Sequence, residues 1–203
     1  MARARSPGHD AQRERILALA VEAFSRIGYP SATMSGLAQA CGVSKATLYH
    51  YFEGKEALLH EALDRHTDEL LTLVESARAS AGEGQARWAA VVRALMPVYG
   101  RSRAVHAALI NDVKFLPPQQ RERIVAQQRA IVAAIARTLD EAFPGRIPTG
   151  RLKATTMALL GMLNFSFAWL QPGGPMSHED FGELVLAIST HGLAGPEAPA
   201  GQP

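Results

Sequence analysis

Hydrogen-bonding and aromatic side chains are concentrated in residues 42–56, which read GVSKATLYHYFEGKE. Within this stretch, Lys45, Thr47, Tyr49, His50 and Tyr51 occupy five of seven consecutive positions. A lysine can reach a guanine edge or a phosphate, and a threonine methyl can contact a thymine. Tyrosine and histidine side chains can donate hydrogen bonds to phosphate oxygens, which position a duplex without reading its sequence. These residue types favour contacts with a nucleic acid.

The distribution of charge favours the same partner. Residues 1–56 hold seven lysine and arginine residues against five acidic ones, whereas residues 57–203 hold fourteen of each. No acidic residue occurs in residues 23–52, so a polyanion could lie along this stretch without repulsion. Arg3 and Arg5 add positive charge to residues 1–10, which we expect to be a flexible basic arm.

Three helical patterns position these residues. Apolar residues at helical spacing predict a first helix over residues 11–27, which Gly28 ends. Thr33 and Ser44 are predicted N-caps of a second and a third short helix, and Gly42 ends the second because glycine tolerates a positive φ. Two short helices joined by a tight turn and packed on a longer one form a helix-turn-helix, here over residues 11–56.

The third helix has a polar and an apolar side. Leu48 and Phe52 are four positions apart and are expected to face inward, which leaves Lys45, Thr47, Tyr49 and His50 pointing away from the core. Helix starts also favour an anionic oxygen, because their first backbone N–H groups lack helical partners. The candidate DNA-binding residues are Thr33, Ser44, Lys45, Thr47, Tyr49, His50, Tyr51 and Lys55.

The rest of the chain shows only helical patterns. A long helix is predicted to run without interruption over residues 55–78. Further helices are predicted over residues 85–99, 102–115, 118–143, 149–171 and 177–191. We therefore expect an all-α protein of about nine helices. It would comprise a three-helix head, a helical ligand-binding and dimerisation body over residues 57–192 and a disordered tail over residues 193–203.

Motifs for catalysis or metal binding are weak. Gly82-Glu83-Gly84 begins like a dinucleotide-binding loop, but the third glycine and a preceding strand are missing. His60-Glu61 begins like a zinc-binding helix, but Asp64 stands where the second histidine belongs. Cys41 lies among small apolar residues, which favours packing over nucleophilic chemistry. We assign no catalytic residue, metal ligand or cofactor.

Composition indicates a cytoplasmic protein. A single cysteine, Cys41, excludes an intramolecular disulfide, and the first ten residues lack the apolar run of a secretory signal. The longest apolar run, residues 157–170, has 14 residues, whereas crossing a bilayer takes roughly 20. We therefore expect no contact with a membrane.

A specific DNA site is usually bound by a dimer, whose two recognition helices lie one turn, or a multiple of one turn, apart on a palindromic duplex. The last two helices offer more apolar surface than one core obviously needs, although the same residues could also close the monomer. The candidate interface residues are Phe165, Trp169, Leu170, Phe181, Leu184, Val185 and Ile188.

Residues 11–59 resemble the DNA-binding domain of TetR-type transcriptional regulators. The resemblance is carried by Ser31-Ala32-Thr33-Met34, Leu37-Ala38, residues 41–52 and Lys55-Glu56-Ala57-Leu58-Leu59. It implies a homodimeric repressor with nine helices per subunit, an operator-binding head, and a body that binds an inducer and dimerises through its last two long helices. Gly36 departs from the family pattern, and a glycine inside a helix costs about 1 kcal/mol relative to alanine.

The body is similar to a subgroup of these regulators, some of which sense acyl-CoA thioesters or related degradation intermediates. The matching segments are Phe115-Leu116-Pro117-Pro118, residues 161–165 and Trp169 followed by Pro172-Gly173-Gly174-Pro175. The resemblance implies a small apolar or acyl-CoA-like inducer.

From the residues themselves, an apolar set with a few polar groups could form the wall of a ligand cavity. The candidate ligand-binding residues are Trp88, Val92, Met96, Tyr99, Leu109, Asn111, Asp112, Phe115, Met157, Leu160, Asn164 and Phe165. Basic residues near the same helices could hold a nucleotide's phosphates, namely Arg101, Arg103, Lys114, Arg121 and Arg123. The apolar set could equally be ordinary core, and the basic set could equally be a solvated face.

The sequence predicts a ligand-responsive regulator in which inducer binding moves the long fourth helix and alters the separation of two DNA-binding heads. The alternative is a helical small-molecule carrier or an enzyme whose N-terminal helices bind a protein partner. Binding to duplex DNA distinguishes the two.

Overall fold

The computed structural model describes residues 7–193, and every regular element within that range is a helix. The helices are α1 (Pro7–Ile27), α2 (Met34–Cys41), α3 (Lys45–Tyr51), α4 (Lys55–Ser80), α5 (Gln85–Arg101), α6 (Arg103–Asn111), a 3-10 helix (Val113–Phe115), α7 (Pro118–Ala142), α8 (Leu152–Asn164), α9 (Ser166–Trp169) and α10 (His178–Leu193). Only Phe165 separates α8 from α9, so counting this pair as one gives the nine α-helices that were expected.

In the described residues, no helix combines the length and the apolar character needed to cross a bilayer.

The first helix starts earlier than the sequence pattern indicated. It begins at Pro7 instead of residue 11, and proline suits the first position of a helix because the N–H it lacks would have no partner there. Residues 7–10 therefore belong to α1 and not to the arm predicted for residues 1–10. The remainder of that arm, with Arg3 and Arg5, and residues 194–203 of the predicted tail lie outside the described residues.

Side-chain caps define the two short helices, as predicted. The Thr33 hydroxyl accepts a hydrogen bond from the Gly36 N–H at 3.2 Å at the start of α2. Gly42 ends α2 in the left-handed region, with φ 65°, where a side chain would be strained. The Ser44 hydroxyl accepts from the Thr47 N–H at 3.0 Å and starts α3. Local sequence chemistry alone therefore fixes the turn between α2 and α3.

The described chain divides into two compact units. The first contains residues up to 67 together with residues 104–125, and the second contains residues 68–103 and those from 126 onward. The long helix α4 runs unbroken, as predicted, and contributes residues to both units.

The core of the first unit lies where the first four helices meet. Ile16 and Phe24 of α1, Leu37 of α2, Leu48 of α3 and Leu59 of α4 are all essentially inaccessible to solvent. Cys41 is also buried there, and its thiol donates to the Ile16 carbonyl at 3.6 Å. Burial raises the pKa of this thiol, in keeping with a packing role.

In the second unit, α5 and α10 pack tightly. Trp88 is fully buried and its indole N–H donates to the Ser189 hydroxyl at 2.9 Å. A Cβ placed on Gly182 of α10 would lie 2.7 Å from Cγ of Met96, so only glycine permits this approach.

Two predicted helices are divided. The segment predicted as one helix over residues 102–115 is α6 followed by the 3-10 helix, which ends where Leu116 becomes extended before Pro117. The segment predicted over residues 149–171 is interrupted at Phe165 between α8 and α9. Periodicity is insensitive to such breaks because it persists when a helix restarts after a single residue.

Candidate functional site

Helix α3 presents a polar surface and buries an apolar one, as predicted. Leu48 and Phe52 are buried, whereas Lys45, Tyr49 and His50 are exposed, with 46% of Tyr49 accessible. The Lys45 ammonium lies 5.9 Å from the centroid of the Tyr49 ring, a cation–π distance. The exposed face of α3 therefore offers one cation and two hydrogen-bonding rings to a partner.

Three candidate hydroxyls form hydrogen bonds within the head itself. The Ser44 and Thr47 hydroxyls are 2.8 Å apart, and the Ser44 hydroxyl also caps α3. Thr33 is exposed, and its hydroxyl caps α2. These three residues hold the ends of α2 and α3 in place, so any contact they make with a partner comes in addition to that structural role.

Tyr51 is less available than Tyr49. Its ring packs 4.7 Å from His9 of α1 and 5.4 Å from His50, measured between ring centroids, and the residue is half-buried. Sequence reasoning missed His9, because residues 1–10 were assigned to a flexible arm. The one available indication was Pro7, a favourable first residue for a helix.

Lys55 begins α4, but its side chain lies against the turn between α1 and α2. The ammonium donates to the carbonyls of Tyr29, Pro30 and Ala32 at 3.1, 3.2 and 3.0 Å. It also lies 4.6 Å from the centroid of the Tyr29 ring. The side chain therefore stabilises the head, and its backbone at the start of α4 is the part that fits the predicted phosphate contact.

Several carboxylates of the first unit are neutralised by arginines. Glu61 forms ion pairs with Arg13 and with Arg65, the latter at 2.6 Å, and Arg65 also pairs with Glu14. Together with the acid-free residues 23–52, these pairs limit the negative charge of the head.

The candidate ligand-binding residues fall into different environments. Trp88, Val92 and Met96 pack against α10. The Trp88 indole donates to Ser189 of α10, and a Cβ placed on Gly182 of α10 would lie within 3.4 Å of the Val92 and Met96 side chains. Tyr99 is also buried, and its hydroxyl donates to Asn164 Oδ1 at 2.8 Å. In this structure these side chains, with buried Leu160, form the core of the second unit.

Four other candidates belong to the first unit. Leu109 is buried, and Phe115 stacks on Tyr29 with 5.3 Å between ring centroids. Asn111 is exposed and its amide donates to the Ala107 carbonyl at 3.0 Å. Burial raises the pKa of the Asp112 carboxyl, and nearby Lys114 opposes this rise. The twelve candidates therefore belong to two different compact units.

The candidate interface residues divide into an exposed and a buried set. Phe165, Trp169, Leu184 and Ile188 are 43–59% exposed. Leu170, Phe181 and Val185, which were also predicted as interface residues, are buried in the core of the second unit, so here they close the monomer, which was the alternative explanation of this apolar surface. Met157 was predicted to line a cavity, but it is 50% exposed on α8, eight positions before Phe165.

Two of the five basic residues predicted to hold phosphates form ion pairs with carboxylates. Arg101 pairs with Glu69, and Arg123 pairs with Asp64 at 2.6 Å. Arg103 instead donates to the Phe167 carbonyl at 2.6 Å.

Two family models match the chain, one over the helix-turn-helix and one mainly over the helical second unit. One, described as "Bacterial regulatory proteins, tetR family", matches residues 16–62, and the other, "Tetracyclin repressor-like, C-terminal domain", matches residues 81–193. The chain belongs to the TetR family. The TetR family is a family of DNA-binding transcription regulators.

Individual TetR-family proteins match most of the chain. The HTH-type transcriptional repressor KstR2 of Rhodococcus jostii RHA1 is 24% identical over 93% of this chain and 94% of its own. A regulator from Bordetella parapertussis 12822 is 29% identical with a TM-score of 0.82, over 87% of this chain and 93% of its own. AibR, crystallised with isovaleryl coenzyme A and operator DNA, is 21% identical with a TM-score of 0.76, over 87% of this chain and 97% of its own. At this identity the similarity shows the fold alone.

Proposed function

We propose that this TetR-family regulator is a repressor that binds a palindromic operator as a homodimer in the cytoplasm. A small apolar or acyl-CoA-like inducer releases it. The observation that carries the proposal is the arrangement of α3, which holds Leu48 and Phe52 inside and presents Lys45, Tyr49 and His50 outside. A short helix with this distribution fits the major groove, where lysine and ring donors meet base edges and phosphates.

The exposed apolar side chains of α8, α9 and α10 support the homodimer. Met157 is exposed near the middle of α8 and Phe165 directly after its last residue, and Leu184 and Ile188 are exposed one helical turn apart on α10. Contiguous apolar surface is rare on monomers and is typical of obligate interfaces. Two copies joined through these helices would present two α3 helices to one palindrome.

The names of similar proteins support repression and the class of inducer. KstR2 is described as a repressor, and AibR binds isovaleryl coenzyme A together with operator DNA. An inducer can release DNA only if it binds the DNA-free conformation more tightly than the DNA-bound one. Helix α4 contributes residues to both compact units, so a shift of α4 is the expected route of this coupling.

A gel-shift assay against DNA from the protein's own promoter tests the proposal. The wild-type protein is expected to bind, with an affinity that falls steeply as salt increases, because phosphate contacts release counterions. The double variant Lys45→Ala, Tyr49→Ala is expected to bind about tenfold or more weakly, since one base or phosphate contact contributes about 1–3 kcal/mol.

Arg129→Ala is the control, because Arg129 is an exposed cation on α7, outside both the helix-turn-helix and the proposed dimer surface. It should bind like the wild-type protein. Equal binding by the wild-type protein and the double variant, or no binding at any salt concentration, would contradict the proposed interface. Stronger transcription from the promoter when the protein is present would show activation instead of repression.

A further inference from the structure

Two hydrogen bonds and one packing contact converge on residues 99–103, at the end of α5 and the start of α6. The Tyr99 hydroxyl donates to Asn164 Oδ1 at 2.8 Å, and Arg103 Nη2 donates to the Phe167 carbonyl at 2.6 Å. A Cβ placed on Gly100 would lie 3.4 Å from Cγ and Nδ1 of His178, so the histidine ring lies against this glycine. The end of α8, the short helix α9 and the start of α10 therefore meet at one turn of the second unit.

Two buried polar atoms at this place have no hydrogen-bond partner within residues 7–193: Oγ of Ser166 and Nε2 of His178. Ser166 is completely buried, and His178 is 9% exposed. Ser166 lies in the chain between Asn164 and Phe167, both of which are bonded to residues 99–103, and the His178 ring lies against Gly100, so both residues belong to the segments that meet at this turn. The great majority of buried polar atoms are hydrogen-bonded, so each exception calls for an explanation, such as a bound water, ion or ligand group.

The same turn carries a cation without a carboxylate. Arg103 is half-buried and forms no ion pair within the described range, whereas Arg93 and Arg101 nearby in the chain pair with Glu183 and Glu69. Burial, and then the positive charge of Arg103, lower the pKa of His178, whereas the neighbouring carboxylate of Glu179 opposes this change. Arg103 is the cation that faces this imidazole.

We propose that Arg103, Ser166 and His178 form a subsite that binds one anionic oxygen group of the inducer, a carboxylate or a phosphate. Arg103 supplies the charge and further N–H donors, because only one contact of its guanidinium is to Phe167. The Ser166 hydroxyl donates to the same anion, as does His178 when its proton is on Nε2. The inference rests on the proposed function, since it assigns the chemistry of the inducer.

Melting temperatures measured with octanoate and octanoyl-CoA test the subsite, with methyl octanoate as an uncharged counterpart. Octanoate provides a carboxylate and octanoyl-CoA provides phosphates, and a ligand that binds the native state raises its melting temperature. We expect at least one charged probe to raise the melting temperature of the wild-type protein, and methyl octanoate to have little effect. A rise with octanoate indicates a carboxylate subsite, and a rise with octanoyl-CoA alone indicates a phosphate subsite.

The variant Ser166→Ala has two expected effects. Without a probe it should melt at a higher temperature than the wild-type protein, because it removes a buried hydroxyl that has no partner. With the effective probe, its affinity should fall about tenfold. His178→Phe retains a planar ring and should lower the affinity for the probe in the same way. Thr156→Val is the control, since Thr156 is equally buried and its hydroxyl donates to the Leu152 carbonyl at 2.8 Å.

Three results would overturn the subsite: no charged probe raises the wild-type melting temperature, methyl octanoate acts as strongly as octanoate, or Ser166→Ala and His178→Phe bind the probe as well as Thr156→Val. A crystal structure with saturating probe that shows only an ordered water at Ser166 and His178 would do the same. Each of these results could occur with operator binding intact, in which case only the subsite fails. Loss of operator binding by the wild-type protein contradicts the proposed function itself.

Discussion

Lys45 and Lys55 are ten positions apart and carry the same charge, but their ammonium groups have different surroundings. Lys45 is exposed beside Tyr49 on α3, whereas Lys55 donates to three carbonyls of the turn between α1 and α2. The sequence identified both as candidates for DNA contact. It could not separate them, because the carbonyls that hold Lys55 lie 23–26 positions earlier in the chain.

This difference predicts opposite behaviour of two lysine variants. Lys55→Met should lower the free energy of unfolding by about 1–3 kcal/mol, since it removes hydrogen bonds from a charged donor. Lys55→Met should leave the salt dependence of operator binding unchanged. Lys45→Ala should reduce the slope of the logarithm of the binding constant against the logarithm of salt concentration by about one. Urea denaturation and gel shifts at several salt concentrations measure both quantities. A normal stability of Lys55→Met with a reduced slope would assign the Lys55 side chain to the DNA.

At the scale of elements, α2 shows how far local rules reach. The caps Thr33 and Gly42 were predictable, because a threonine hydroxyl at the start and a left-handed glycine at the end are local chemistry. Gly36 lies in the exposed first turn of α2, and a Cβ placed there would be 3.4 Å from the Thr33 hydroxyl oxygen. That is an ordinary contact distance, so alanine fits at this position without loss of the cap.

We therefore expect Gly36→Ala to raise the free energy of unfolding by up to about 1 kcal/mol, the difference in helix propensity between the two residues. Gly42→Ala is the matched comparison, because Gly42 has a φ of 65° that alanine adopts only with strain, and it should lower stability. Chemical denaturation of both variants measures the effects. Destabilisation by Gly36→Ala would mean that the added methyl displaces the Thr33 cap.

At the scale of the whole molecule, the proposed assembly depends on which apolar side chains the chain leaves uncovered. Phe181 and Val185 are on α10 next to Leu184 and Ile188, but the first pair is buried and the second pair is exposed. Charge introduced at Phe181 would disrupt the fold and would report nothing about a dimer. Charge introduced at an exposed position affects only a surface that another subunit would cover.

Ile188→Glu and Leu184→Glu should shift the protein from dimer to monomer on a sizing column coupled to light scattering, because a buried unpaired carboxylate opposes association. The monomeric variants should still show a cooperative thermal unfolding transition, which would show that they remain folded. Ala130→Glu introduces the same charge at an exposed alanine of α7 and should leave the mass unchanged. A mass unaffected by either α10 variant would place the interface elsewhere.

The sequence by itself determined the helices, the caps of α2 and α3 and the outward position of Lys45 and Tyr49. Each of these follows from residues within a few positions of one another, and helical periodicity or capping chemistry is sufficient to predict them. The resemblance to TetR-type regulators rested on the same local segment and extended correctly to the family.

Only the tertiary structure decided what covers each helical face. Periodicity shows which side of a helix is apolar, but whether that side meets another helix or solvent depends on residues far away in the chain. Tyr51 is half-buried because His9 packs on it, and Trp88 is core because Ser189 of α10 lies against it. The unpartnered Ser166 and His178 likewise become one cluster only where α8, α9 and α10 meet the end of α5.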